Sequence, residues 1–228
     1  MKRYEVVSKG LLPLNSYVIV RVDGKKFSTY TKNFVKPFDQ SITDCMNDAT
    51  IALCKEMQNA VCGYVQSDEI SILMYDGTKV ESQPYFDNEI QKICSITAST
   101  ATATFNQQMN LCKIKKAMEF IGNDPYFISN LIINCVKEKQ AKFDSRCFVL
   151  PNKDEVTNYI LWRYKDCVKN SISSLAQANF SQKQLDGKNS NQRQEMLFTE
   201  KGIKWNNLDG ELKRGRLCVK TANGWEIS

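Results

Sequence analysis

Apolar residues in the first 150 positions switch repeatedly between two spacings, and the order of the switches limits the fold more than any other feature of the chain. Residues 16–22 alternate and are rich in β-branched side chains, the pattern of a strand, and they stop at the turn dipeptide Asp23-Gly24. From Asp39 to about Asn59 the residues Ile42, Met46, Ala49, Leu53 and Met57 recur at helical spacing, with Asp39 or Ser41 as N-cap. Residues 60–66 and 70–75 are short apolar runs flanking Ser67-Asp68-Glu69, which predicts a hairpin. Helical spacing returns over 86–109 through Phe86, Ile90, Ile93, Cys94, Thr97, Ala98 and Ala101, although threonines are weak helix formers. A further strand is expected near 145–150.

Strand, helix, strand, strand, helix, strand is the order of the split βαβ, ferredoxin-like α+β fold. There the first and third strands are antiparallel neighbours, so the end of one meets the start of the other. Asp23 and Asp68, 45 positions apart in sequence, are thereby expected side by side. Singly, each acidic turn is an ordinary polar turn. Juxtaposed, they form a two-carboxylate site for Mg²⁺, a hard cation that prefers oxygen ligands and bridges to phosphates. Strand alternation sends Glu69 to the opposite face, or leaves it in the turn.

Composition narrows the chemistry. The chain has no histidine, which removes Ser-His-Asp and Cys-His nucleophiles and His-based zinc hydrolases. What remains is carboxylates, lysines, arginines, backbone and metal, an inventory suited to phosphoryl and nucleotidyl transfer. The nine cysteines include no Cys-x-x-Cys pair and read as reduced, mostly buried thiols. No apolar run is long enough to span a membrane. Glu5, Lys9 and Pro13 interrupt any apolar secretory core, so a soluble intracellular protein is expected, in the cytoplasm with an organelle left open.

Beyond residue 151 the chain becomes more polar. A helix is expected from Lys153 to about Phe180, carrying Tyr159, Trp162 and Arg163, and a Gly/Asn/Ser/Gln-rich loop over 186–194. Residues 201–220 carry Lys201, Lys204, Lys213, Arg214, Arg216 and Lys220 around Trp205, a basic and aromatic stretch suited to RNA or simply to a solvated surface. There is no Walker A loop and no Gly-x-Gly-x-x-Gly.

Several segments together resemble the tRNA-histidine guanylyltransferase-like family. They are Arg21-Val22-Asp23-Gly24-Lys25-Lys26-Phe27, Phe34-Val35-Lys36-Pro37-Phe38-Asp39, Gln66-Ser67-Asp68-Glu69, Phe143-Asp144-Ser145-Arg146 and Trp162-Arg163-Tyr164-Lys165-Asp166-Cys167, in order over residues 4 to 198. The resemblance implies a polymerase palm-like antiparallel sheet with helices on one face, over residues 1–150. A helical extension and basic C-terminal segment, 151–228, would complete the same domain. It implies a nucleotidyltransferase that adds nucleotides to the 5′ end of tRNA in the 3′-to-5′ direction, ATP or GTP activating a 5′-monophosphate. Asp23, Asp68 and Glu69 would be catalytic, with two Mg²⁺ ions held by Asp23, Asp68 and the Gly24 carbonyl. Lys25, Lys26, Phe27, Lys36, Asp39 and Ser67 would bind the nucleotide, and Lys92, Arg146, Arg163, Asn170 and Arg193 the RNA. A homotetramer is implied as well.

The chain departs from the family pattern after Asp166-Cys167, where Val168-Lys169-Asn170-Ser171-Ile172-Ser173 keeps only Asn170 in register, and at Gln192-Arg193-Gln194-Glu195, where Arg193 replaces the usual lysine. A basic cluster ahead of the second core helix is thinned to Glu89 and Lys92. These changes favour templated repair of 5′-truncated tRNA over dedicated addition of the extra guanosine to tRNA-histidine. A palm-type nucleotide cyclase and a non-catalytic RNA-binding protein are the other readings.

Overall fold

A computed structural model describes residues 2–77, 82–121, 133 and 139–228. After a short helix α1 (Lys2–Val6), strand β1 (Tyr17–Gly24) is followed by a helical turn α2 (Phe27–Tyr30), helix α3 (Gln40–Glu56), the hairpin β2 (Ala60–Gln66) and β3 (Glu69–Tyr75), helix α4 (Ile90–Ile121) and strand β4 (Phe143–Leu150). Four strands pair antiparallel in the order β4-β1-β3-β2, as the ferredoxin-like pattern requires.

Alternation along β1 decides which layer each residue meets. Val18, Val20 and Val22 join Ile70, Ile72 and Met74 of β3 beneath α3 and α4, which contribute Met46, Ala49, Leu53, Ile93, Ala101 and Phe105 to this main core. Asp39 caps α3 as expected, accepting a hydrogen bond from the Ser41 amide at 2.9 Å. The threonines that weaken α4 as an isolated helix bolt it to the sheet. Thr97 Oγ1 lies 2.8 Å from Ser145 Oγ, and the Phe143 amide donates to Thr102 Oγ1 at 3.2 Å.

The C-terminal portion differs from expectation in three respects. Helix α5 (Lys153–Asn179) covers the other face of the sheet, where Tyr159 packs on Ile19 and Leu73, so helices occupy both faces rather than one. The expected loop at 186–194 is cut short, because after a helical turn α6 (Gln182–Leu185) helix α7 begins at Ser190 and runs to Lys201. Its polar start is a capping box in which the Asn189 side chain accepts from the Gln192 amide and the Gln192 side chain from the Asn189 amide. The extension is also not wholly helical. After α8 (Gly210–Arg214), strand β5 (Arg216–Thr221) pairs with β2 and β6 (Gly224–Ile227) with β5, giving a six-stranded sheet.

Leu175, Ala176, Phe180, Leu185 and Leu197 form a second small core against which Trp205 packs. The basic stretch is therefore partly spent in packing. Lys213 is buried with its ammonium on the Asn206 carbonyl, and Trp205 Nε1 donates to Ser171 Oγ at 3.0 Å. Eight cysteines are free thiols, four buried and four half-buried; Cys135 lies outside the described residues. Among the described residues no helix is long and apolar enough to cross a membrane.

Candidate active site

At one end of the sheet β1 and β2 finish and β3 and β5 begin, and there a cleft of about 550 Å³ opens between the start of α3 and the middle of α5. Asp23 stands at the end of β1 opposite Glu69 in register, and the Gly24 amide donates to the Asp68 carbonyl at 3.1 Å. The topology thus brings the two acidic turns together. Ser67, in the left-handed region at φ 48, turns the chain so that its hydroxyl donates to Asp68 Oδ1 at 3.0 Å.

Gly24 is a spatial necessity. A Cβ there would lie 2.6 Å from the Phe27 ring and 2.8 Å from Asp68 Oδ2. Burial pushes the Asp68 carboxyl above the usual carboxylate range, and the charges of Asp23 and Glu69 add to the rise against the Ser67 hydrogen bond.

Glu69 faces the same layer as Asp23 but is committed elsewhere. Arg163 on α5 grips it with Nε to Oε1 at 2.6 Å and Nη2 to Oε2 at 2.8 Å, and also holds Asp166 at 2.9 Å. Arg163, expected on RNA, is 6% exposed and stacks its guanidinium 4.5 Å over the Trp162 ring. Asn170 extends the chain of contacts, donating to Asp166 Oδ2 at 3.1 Å. A second hollow of about 360 Å³ on this side is lined by Asp23, Asp68, Glu69, Arg163 and Asn170, so the two aspartates separate two spaces.

Lys26, Phe27, Lys36 and Asp39 line the main cleft with Ser67 and Asn170. Burial opposes ionisation of Asp39, but hydrogen bonds from Ser41 and from the Val35 amide bring its carboxyl below the ordinary value. Asp39 therefore fixes the 35–39 segment as the cleft wall. Lys25 stands apart from the cleft lining, its amide donating to the Lys142 carbonyl. Arg146 pairs with Asp144 at 2.8 Å and reaches Asp23 at 4.0 Å. Arg193 donates to Ser173 Oγ at 2.9 Å. Lys92 sits in the first turn of α4 beside Glu89 and Lys9, at the helix end tied to Gly10 and far along α4 from Asn106, which holds Ala141.

The sequence reading missed two parts of the wall. Cys167, Ser171, Ser174 and Gln177 present one polar face of α5 to the cleft, and their spacing of three and four residues was the available signal. Burial pushes the Cys167 thiol up to about 11, which keeps it protonated and unsuited to nucleophilic attack. The other part is Arg216, 4% exposed on β5 and taken in sequence for one of several surface cations.

Among the described residues no group of three or more His, Cys, Asp or Glu side chains converges as a metal-binding cluster, and Glu69 is turned onto Arg163. The donors that do converge are all hard oxygens: two carboxylates and the backbone around a glycine that leaves room beside Asp68. That set fits Mg²⁺ held partly by water and substrate phosphates rather than by a protein cage.

By sequence comparison these features belong to a class of nucleotidyltransferases. The family model described as tRNAHis guanylyltransferase matches residues 1–151. The tRNA(His) guanylyltransferase of Kluyveromyces lactis is 30% identical over 95% of this chain and 87% of its own length. A bacterial tRNA(His) guanylyltransferase-like protein solved in complex with ATP superposes with a TM-score of 0.84 and 42% identity, covering 100% of this chain and 90% of that one. The tRNA(His) guanylyltransferase structure from Saccharomyces cerevisiae gives 0.71 and 25%, over 99% of this chain and 94% of that one. The chain belongs to the tRNAHis guanylyltransferase family.

Proposed function

We propose that the protein is a metal-dependent nucleotidyltransferase that adds nucleotides to the 5′ end of tRNA in the 3′-to-5′ direction, repairing 5′-truncated tRNA against a template. The observation that carries this is the convergence of Asp23 and Asp68 beside Gly24 in a cleft with room for a nucleotide. Residues 1–150 would form the palm-like core, and pairing of β5 with β2 supports counting 151–228 in the same domain.

On this reading the RNA 5′-monophosphate attacks the α-phosphorus of ATP or GTP and expels pyrophosphate. The 3′-hydroxyl of the incoming nucleotide then attacks the activated 5′ phosphate and expels the nucleoside monophosphate. Two Mg²⁺ ions held by Asp23, Asp68 and the Gly24 carbonyl would supply charge neutralisation at the phosphates and a more acidic attacking hydroxyl. Lys36 and Ser67 would contact phosphates, with Lys26 and Phe27 on the same side of the cleft. Asp39 would hold the wall against which the nucleotide lies. Glu69, clamped by Arg163, would add negative potential beside the metal site and fix the start of β3.

The departures from the family pattern after Cys167 and at Arg193 support repair. The name carried by the K. lactis relative supports the second reading, addition of the extra guanosine to tRNA-histidine. Incubation with Mg²⁺, nucleoside triphosphates and either full-length tRNA-histidine or tRNA lacking its first nucleotide separates them. Extension of the truncated tRNA, lost in Asp68→Asn, is expected. Retained extension in that variant would remove the metal assignment, and cyclic nucleotide formed without RNA would replace the polymerase with a cyclase. The homotetramer is tested by light scattering on the eluting protein.

A further inference from the structure

We propose that Cys94 on α4 and Cys147 on β4 form a redox-sensitive modification site, where a small disulfide such as oxidised glutathione converts the two thiols to an intramolecular disulfide that pins α4 to the edge of the sheet and stabilises the chain; this stands independently of the nucleotidyltransferase reading. Their Sγ atoms lie 3.7 Å apart, although the residues are 53 positions apart in the chain. Both are half-buried, and β4 is the edge strand of the sheet, so neither thiol is sealed in the core. Other thiols also meet across elements, Cys45 with Cys112 and Cys54 with Cys218, but there Cys45, Cys54 and Cys218 are buried. Exposure therefore singles out Cys94 and Cys147.

Neighbouring contacts hold the pair in place. One turn further along α4 and two residues back on β4, Thr97 Oγ1 lies 2.8 Å from Ser145 Oγ, and beyond it the Phe143 amide donates to Thr102 Oγ1 at 3.2 Å. The three contacts form a ladder that fixes the helix against the strand. A disulfide bond of about 2.05 Å asks each sulfur to move by less than about 1 Å, within reach of side-chain rotation. Burial, and next the neighbouring Cys94, push the Cys147 thiol up to about 12, so Cys147 keeps its proton and Cys94 reacts first. The Cys94 thiolate attacks one sulfur of oxidised glutathione, forming a mixed disulfide and expelling a glutathione thiolate, which takes up a proton. Cys147 Sγ then attacks Cys94 Sγ, and its proton goes to the departing second glutathione. Two protein thiols are oxidised, and one glutathione disulfide is reduced to two glutathione thiols. The new bond closes a loop across 53 positions and so removes freedom from the unfolded chain.

The test incubates the full chain in glutathione buffers from fully reduced to fully oxidised, blocks the remaining thiols by alkylation and maps unreduced peptides by mass spectrometry, for wild type, Cys94→Ser and Cys147→Ser. Wild type should yield the Cys94–Cys147 cross-linked peptide as the first disulfide to form, its melting temperature should rise by about 5 °C or more, and dithiothreitol should reverse both. Cys147→Ser should stop at a glutathione adduct on Cys94, whereas Cys94→Ser should carry no adduct on Cys147. Absence of the cross-link in the fully oxidised buffer, a different pair closing first, or a melting temperature that falls on cross-linking would each overturn the proposal. A Cys147→Ser protein left unmodified at Cys94 would overturn Cys94 as the thiol that reacts first. If either variant does not fold, the wild-type peptide map and melting temperature decide by the same outcomes.

Discussion

Asp68 is half-buried next to two other carboxylates, an arrangement that costs folding energy and that a divalent cation would relieve. Mg²⁺ should therefore raise the melting temperature of wild type, by roughly 2.7 kcal/mol of added stability at a concentration 100 times the dissociation constant. Asp23→Asn and Asp68→Asn should remove that shift in a thermal scan with and without Mg²⁺; a shift retained in both would place the ion elsewhere. Gly24 tests the same site without touching a charge. Gly24→Ala should displace Phe27 and Asp68 and lower kcat/KM for 5′ extension by about 10²-fold, and unchanged kinetics would show that the site does not need the close approach. Asp23 and Asp68 were legible in sequence because turns and strand ends are local signals. Arg216 was not, since its burial depends on α3 lying across it.

Elements position these residues more than their own propensities do. Helix α5 lays Tyr159 on the sheet and brings its hydroxyl within 2.8 Å of Ser71 Oγ, one turn before Arg163 takes Glu69. The Arg163–Glu69 pair is nearly dry, with side chains 8% and 13% exposed. Arg163→Met alone should cost about 3–5 kcal/mol in urea unfolding, because it strands a buried carboxylate, and adding Glu69→Gln should recover most of the loss. Additive losses in that cycle would mean the two side chains act independently. Sequence reasoning placed α3, β2, β3 and α5 within a few residues, because each has a clear period and a cap or turn at its end. It read 190–194 as loop because the polar residues of a capping box look like loop residues until their partners are known. It missed β5 and β6 because strands of six and four residues, the first of them basic, carry little alternation.

In the whole molecule, the β5–β6 hairpin continues the sheet past β2 and seats Cys218 in the main core with Trp225 and Ile227 packed against it. Removing residues 216–228 should expose the edge of β2 and the apolar surface beneath it, giving aggregates on size exclusion that the intact chain does not form. A monodisperse truncated protein would show that the edge is covered by something else. By itself the sequence determined the order of the main elements up to residue 150, the lack of histidine chemistry and the place of the two acidic turns at strand ends, all of which follow from residue type and near-neighbour spacing. Only the tertiary structure decided that Glu69 belongs to Arg163, that α5 closes the second face of the sheet and that a lone arginine from the last strands enters the cleft. Those outcomes depend on burial and charge pairing between segments far apart in the chain, which no local pattern encodes.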